Sequence, residues 1–84
     1  MKNILMYSGP MCNFCDAAKR LLSRNKLEYQ EIDISKGPNI REEMIEKSNG
    51  RRTIPQIFFN EKHIGGYQEL RELEKSGNLF SSLE

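Results

Sequence analysis

The chain has 84 residues, 37% of them apolar and 30% charged, with two cysteines and no tryptophan. That length fits one domain, expected over residues 1–84, and excludes a large core, since so short a chain buries only about 60% of its unfolded surface. Thirteen Lys+Arg against twelve Asp+Glu leave a formal charge of +1, which gives no global pull toward nucleic acid or an anionic membrane.

In chain order, residues 4–7 (Ile-Leu-Met-Tyr) are apolar on both faces of a strand, the pattern of a buried central strand. No apolar run nears the roughly 20 residues of a bilayer span, and this one is too short for the core of a signal peptide. A cytosolic monomer is expected. Ser8-Gly9-Pro10 interrupts the strand. Phe14, Ala17, Ala18, Leu21 and Leu22 then recur at helical spacing, with Lys19, Arg20 and Arg24 toward the turns where cations complement the helix dipole, and Asn25 as its end. Residues 27–34 read as a second strand through Leu27, Tyr29, Ile32 and Ile34, with a slip in parity between Tyr29 and Ile32. Lys36-Gly37-Pro38 turns into a second helix with Pro38 near its start, an apolar stripe of Ile40, Met44 and Ile45, and a stop at Asn49-Gly50.

Residues 56–59 form the third strand, and a turn at Asn60-Glu61 returns the chain as a fourth strand near residues 62–64. Gly65-Gly66 ends it. Tyr67, Leu70 and Leu73 mark a third helix stopped by Gly77, after which Leu79, Phe80 and Leu83 are expected to fold back on the core. The order βαβαββα makes the first two strands parallel through a right-handed crossover and adds an antiparallel hairpin. The expected fold class is α/β, a four-stranded mixed sheet flanked by helices.

Two cysteines are too few for a disulfide scaffold. In a reducing compartment such a pair is more often catalytic or metal-binding than structural. Cys12 falls at a helix N-terminus, where backbone N–H groups and the dipole favour the thiolate and lower its pKa from about 8.5. Cys15 lies one turn on, on the same side, within reach of the Cys12 sulfur. Cys12 is therefore expected to attack, and Cys15 to resolve the mixed disulfide. Structural zinc normally takes four ligands, whereas Cys12, Cys15 and His63 supply three. Two inert core cysteines are the other alternative, but C-x-x-C between a strand and a helix is the context redox chemistry requires.

Other positions are less decisive on their own residues. Ile54-Pro55 reads as an ordinary trans proline at a strand start, because only about 5% of X-Pro bonds are cis. Thr53 reads as a turn residue. Gly65-Gly66 reads as a tight turn or as an anion cradle at a helix start.

Taken together, Cys12-Asn13-Phe14-Cys15, Arg41-Glu42-Glu43-Met44, Thr53-Ile54-Pro55-Gln56-Ile57-Phe58 and His63-Ile64-Gly65-Gly66 give a sequence that resembles the small bacterial glutaredoxins over essentially its whole length. The resemblance implies a thioredoxin-like fold with Pro55 in the cis form, against the trans form expected from the residues alone. It implies reduction of protein disulfides and glutathione mixed disulfides, with glutathione as co-substrate, no tightly bound cofactor and no metal. The implied partners are glutathione and disulfide-bonded or glutathionylated proteins. The implied glutathione site uses the Phe14 ring, Thr53 and Pro55, with the backbone around Ile54 pairing the cysteinyl part. The turn after Gly66, at Tyr67 and Gln68, would take the γ-glutamyl end. Arg41 is a candidate for the glycyl carboxylate, or else a solvated helix-face charge.

The sequence also departs from the family. Asn13 and Phe14 replace the usual Pro-Tyr, so the turn lacks the ring that fixes φ. Gly9 stands where a lysine is common, and Gln68 stands for the first of two acidic residues. Each change removes an electrostatic contact, so weaker glutathione binding is expected, with Arg41 and Arg51 or Arg52 compensating. The absence of proline after Cys12 also raises an alternative of another class: a carrier holding an iron–sulfur cluster between two chains through Cys12 and glutathione. The usual carrier motif is Cys-Gly-Phe-Ser, and the retained Cys15 argues against it.

Overall fold

The computed structural model describes residues 3–83. Its elements follow the order read from the sequence: β1 (Ile4–Ser8), α1 (Asn13–Arg24), β2 (Gln30–Asp33), a 3-10 turn (Ile34–Lys36), α2 (Pro38–Lys47), β3 (Gln56–Phe59), β4 (Lys62–Gly65), α3 (Tyr67–Ser76) and a final 3-10 turn (Ser81–Leu83). The four strands lie in the order β2-β1-β3-β4. β1 runs parallel to β2 and antiparallel to β3, and β4 closes the hairpin on β3.

Strand parity explains why the central strands are apolar throughout. Ile4 and Met6 of β1 join Ile57 and Phe59 of β3 under α1 and α3, where Ala18, Leu21, Leu22 and Leu70 complete one core. Tyr7 and Phe58 point to the other face, where Met44 of α2 covers them, flanked by Leu5, Ile40 and Ile45. Each fully buried side chain of this size contributes about 1.5–3 kcal/mol. The same division accounts for the slip read in the second strand. Leu27 and Tyr29 pack under α1 and α3, whereas Ile32 and Ile34 pack on the α2 side. The strand is accordingly shorter than residues 27–34 suggested, and the residues before it serve the opposite face.

Two aromatic residues correct the expected core. Leu79 and Leu83 fold back and are buried, but Phe80 stays half-exposed. Phe14 is 59% exposed, and Cys15 takes the buried place on the inner stripe of α1 with Ala18 and Leu22. The turns follow their residues. Asn60 and Glu61 both adopt positive φ, 50° and 71°, the geometry of a two-residue hairpin turn that matches strand twist. Asn60 also ties the ends of the chain together. Its Oδ1 accepts the Asn3 N–H at 2.7 Å, and its Nδ2 donates to the Leu83 carbonyl at 2.6 Å. Gly77, at φ 79°, ends α3 in the left-handed conformation that glycine enters without a Cβ penalty. Among the described residues, no helix is long and apolar enough to cross a membrane.

Candidate active site

Cys12 is the N-cap of α1, with extended backbone (φ −118°, ψ 102°). Its Sγ accepts the backbone N–H of Cys15 at 3.1 Å, and the sulfurs of the two cysteines lie at disulfide-bonding distance with their Cα atoms 5.2 Å apart. Cys15 is 1% exposed, and Cys12 is more open. The asymmetry comes from the helix: the cap faces outward, and the residue one turn on falls on the core stripe. Met11, just before the cap, is fully exposed and held at a left-handed φ of 53°.

The loop before β3 comes up beside this turn. The Ile54–Pro55 peptide bond is cis, as the resemblance implied, and the Ile54 carbonyl oxygen lies 3.8 Å from the Cys12 sulfur. Thr53, Ile54 and Pro55 form one wall of a shallow cleft of about 260 Å³. Gly66, Tyr67 and Gln68 form another, and Phe14 closes it from α1. Phe14 is held there by Tyr67, whose ring stacks on it at a centroid separation of 6.0 Å and 25° between planes. The N–H groups of Tyr67, Gln68 and Glu69 at the start of α3 have no acceptor within the helix, and the first helical bond runs from the Leu70 N–H to the Gly66 carbonyl at 3.1 Å. Arg41 is not among these residues. It is exposed on α2 and lines a neighbouring groove with Arg52, Glu42 and Ile34.

Two parts of the site were not read from the sequence as pairings, although Arg51 itself was expected to compensate for lost glutathione contacts. Arg51 and Glu69 also line the cleft. Glu69 Oε1 accepts from Arg51 Nη1 at 2.9 Å and from the Gly66 N–H at 2.6 Å. The Arg51 guanidinium, and then the Gly66 N–H, hold the Glu69 carboxyl below the usual carboxylate range. Glutamate three residues after a helix cap is the capping-box spacing, and that signal was present in Gly66 to Glu69. The second part is the buried Gln56, which joins His63 to Thr53. Burial, reinforced by Arg51, pushes the His63 pKa down, with Glu69 opposing. Nothing in apolar periodicity points to this pair.

The arrangement is a partly open sulfur at a helix start, a buried second sulfur behind it, and a peptide-lined cleft alongside. The glutaredoxin family model matches residues 4–64. Glutaredoxin 3 of Escherichia coli K12 is 43% identical over 79 residues, covering 94% of each chain. Among solved structures, the solution structure of glutaredoxin from Brucella melitensis superposes with a TM-score of 0.85 at 44% identity, over 96% of this chain and 87% of that one. A buckwheat glutaredoxin–glutathione complex superposes with a TM-score of 0.88 at 27% identity, over 98% and 76%. With its paired cysteines and thioredoxin-like fold, the chain belongs to the glutaredoxin family of thiol–disulfide oxidoreductases.

Proposed function

We propose that this protein is a glutathione-dependent oxidoreductase that reduces protein disulfides and glutathione mixed disulfides, with Cys12 as nucleophile and Cys15 as resolving thiol. The observation that carries the reading is the Cys12 sulfur: it caps α1, accepts the Cys15 N–H at 3.1 Å and borders the cleft at Ile54. The donor and the helix dipole that face this sulfur stabilise a negative charge on it in the reduced protein.

In the one-cysteine route, the Cys12 thiolate attacks the glutathione sulfur of a glutathionylated protein. The protein sulfur leaves as a thiolate and takes a proton from water, and Cys12 carries glutathione in a mixed disulfide. A second glutathione thiolate attacks that glutathione sulfur, releasing oxidised glutathione and restoring Cys12. In the two-cysteine route, Cys12 opens a substrate disulfide, and Cys15 then attacks the Cys12 sulfur. The substrate leaves with both thiols reduced, and Cys12–Cys15 becomes the disulfide. Two glutathione molecules reduce it again.

Glutathione would lie in the cleft with its cysteinyl backbone along Ile54, beside Thr53 and Pro55. Its γ-glutamyl carboxylate would meet the first N–H groups of α3 at Tyr67 and Gln68, after Gly66, and Phe14 would cover one side. Arg41 would reach the glycyl carboxylate across the groove it shares with Arg52. The buckwheat relative was solved as a glutathione complex, which supports this choice of co-substrate.

The test is glutathione-coupled reduction of a small glutathione mixed disulfide by wild type, Cys12→Ser and Cys15→Ser. Cys12→Ser should be inactive, and Cys15→Ser should keep the one-cysteine route. Full activity in Cys12→Ser sinks the assignment. Asn13, in place of proline, favours the second reading, a carrier of an iron–sulfur cluster between two chains. Anaerobic purification separates the two: a brown dimer supports the carrier, and a colourless monomer supports the enzyme.

A further inference from the structure

His63 and Gln56 lie outside the cleft, yet both are connected to its wall. Gln56 is 0% exposed at the start of β3, and its carboxamide is bonded at both ends. Nε2 donates to the Thr53 carbonyl at 3.0 Å and to Thr53 Oγ1 at 3.2 Å. Oε1 faces Nε2 of His63 at 2.7 Å. A carbonyl oxygen can only accept, so the amide group of Gln56 must point at Thr53, and its oxygen must point at His63. His63 therefore donates through Nε2–H, a tautomer inferred from the network. The ring is held from a second side by Phe58, with centroids 5.0 Å apart. Thr53 immediately precedes the Ile54–Pro55 peptide beside Cys12.

We propose that Gln56 and His63 are positioning residues that brace the loop at 53–55, and with it the peptide edge that receives glutathione. The proposal rests on the glutathione-dependent reading above. Thr53 itself is exposed, and a loop held only by its own backbone samples conformations that a ligand must suppress on binding. A buried amide clamped to its carbonyl and hydroxyl removes that freedom in advance. Neither residue touches the reacting sulfurs, and the charge on the Cys12 sulfur is stabilised by α1, a separate element. Loss of the brace should therefore weaken substrate binding and leave the chemical step in place.

The test compares Gln56→Leu, which removes both ends of the clamp, with His63→Phe, which keeps a ring on Phe58 but has no donor. His63→Gln restores an N–H donor. Gln56→Leu and His63→Phe should raise KM for a small glutathione mixed disulfide by roughly three- to tenfold, the effect of about one lost hydrogen bond. Neither kcat nor the alkylation rate of reduced Cys12 by iodoacetamide should change, and His63→Gln should bring KM back toward wild type. Amide hydrogen exchange at Thr53 and Ile54 supplies a readout independent of turnover. It should speed up in both deleting variants and slow again in His63→Gln. Unchanged KM and unchanged exchange in His63→Phe overturn the brace, as does a fall in kcat with KM constant. A wild type that fails to turn over with glutathione overturns the functional reading instead, and the exchange measurement still decides the brace. His63→Phe carries the test if Gln56→Leu does not fold.

Discussion

Glu69 and Arg51 are joined across the mouth of the cleft by a 2.9 Å ion pair, and the same Glu69 oxygen caps the Gly66 N–H. One carboxylate thereby fastens the start of α3 to the loop that precedes Pro55. Both side chains are well over a third exposed, so the ion pair by itself is worth at most about 1 kcal/mol. The cap bond adds a contribution of similar size. Glu69→Ala is expected to lower stability by about 1–2 kcal/mol in urea unfolding, and Glu69→Gln, which can still accept from Gly66, by less. Because the folded carboxyl is held low, its contribution is present above the ordinary value of about 4.3 and is lost as pH falls through the folded value. A Glu69→Ala deficit that persists unchanged in strong acid contradicts this origin.

A second carboxylate works at the opposite end of the same helix. Glu74 of α3 accepts Arg24 Nε at 3.0 Å, Arg24 Nη2 at 2.6 Å and Asn25 Nδ2 at 2.7 Å, tying α3 to the end of α1. The Arg24 fork, then the Asn25 amide, hold the Glu74 carboxyl down to about 2. Its stabilising effect is therefore fully present above about 4.3 and declines as pH falls toward 2. Glu74→Gln should melt below wild type at pH 7, and the two melting curves should converge as the pH approaches 2. Parallel curves across that range count against the linkage.

How far the sequence led depended on the distance over which each feature acts. Strands, helices and caps are local, and Pro38, Asn60-Glu61 and Gly77 mark their ends where the chain turns. The two-sided core was legible in the unbroken apolar run at residues 4–7, and even the parity slip after Tyr29 carried information about faces. Exposure of Phe14 and Phe80 was not legible, because an aromatic residue next to an apolar stripe reads the same whether it packs on the core or, like Phe14, on Tyr67. Cys12 and Cys15 stood out from their spacing and position alone. The cis form at Pro55 came only through family resemblance. The Gln56–His63 pair and the Arg51–Glu69 pair join residues distant in sequence through polar contacts, which no apolar periodicity records.

The α2 helix is attached to the sheet by few side chains, among them Glu43, which accepts a hydrogen bond from the Tyr7 hydroxyl of β1. Met44 is its buried residue, packed on Tyr7 and Phe58, while Ile40 and Ile45 are only partly covered. Met44→Ala should cost about 2–4 kcal/mol, the usual range for emptying a buried site of this size. Amides of α2 should also exchange faster than those of β1 and β3, because a helix with little buried apolar area opens locally at lower free energy. Protection in α2 equal to that of the central strands contradicts this account. Such opening would bear on Arg41, which sits on this helix and would have to reach the far end of a bound glutathione.

The glycine at position 9 follows from the residue facing it. A Cβ built on Gly9 meets Ile54 Cδ1 at 2.8 Å, with Ile34 Cγ1 next at 3.7 Å. The first distance is too short to keep, so any larger residue at position 9 requires the end of the Ile54 side chain to rotate away. Turning it off its preferred rotamer costs about 0.5–1.5 kcal/mol. Ile54→Val removes that methyl and should free the space. Gly9→Lys alone is therefore expected to lower stability by roughly 1 kcal/mol, and the same change in an Ile54→Val background by much less. A double-mutant cycle in urea should return a coupling of about 0.5–1.5 kcal/mol, and additivity within about 0.3 kcal/mol rules the contact out. The double variant also tests the functional side. It places a cation three residues before Cys12, and an ammonium near the cleft should lower KM for a glutathione mixed disulfide most strongly at low salt. If stability couples but KM stays constant with salt, Gly9 reflects packing against Ile54 and has no bearing on glutathione.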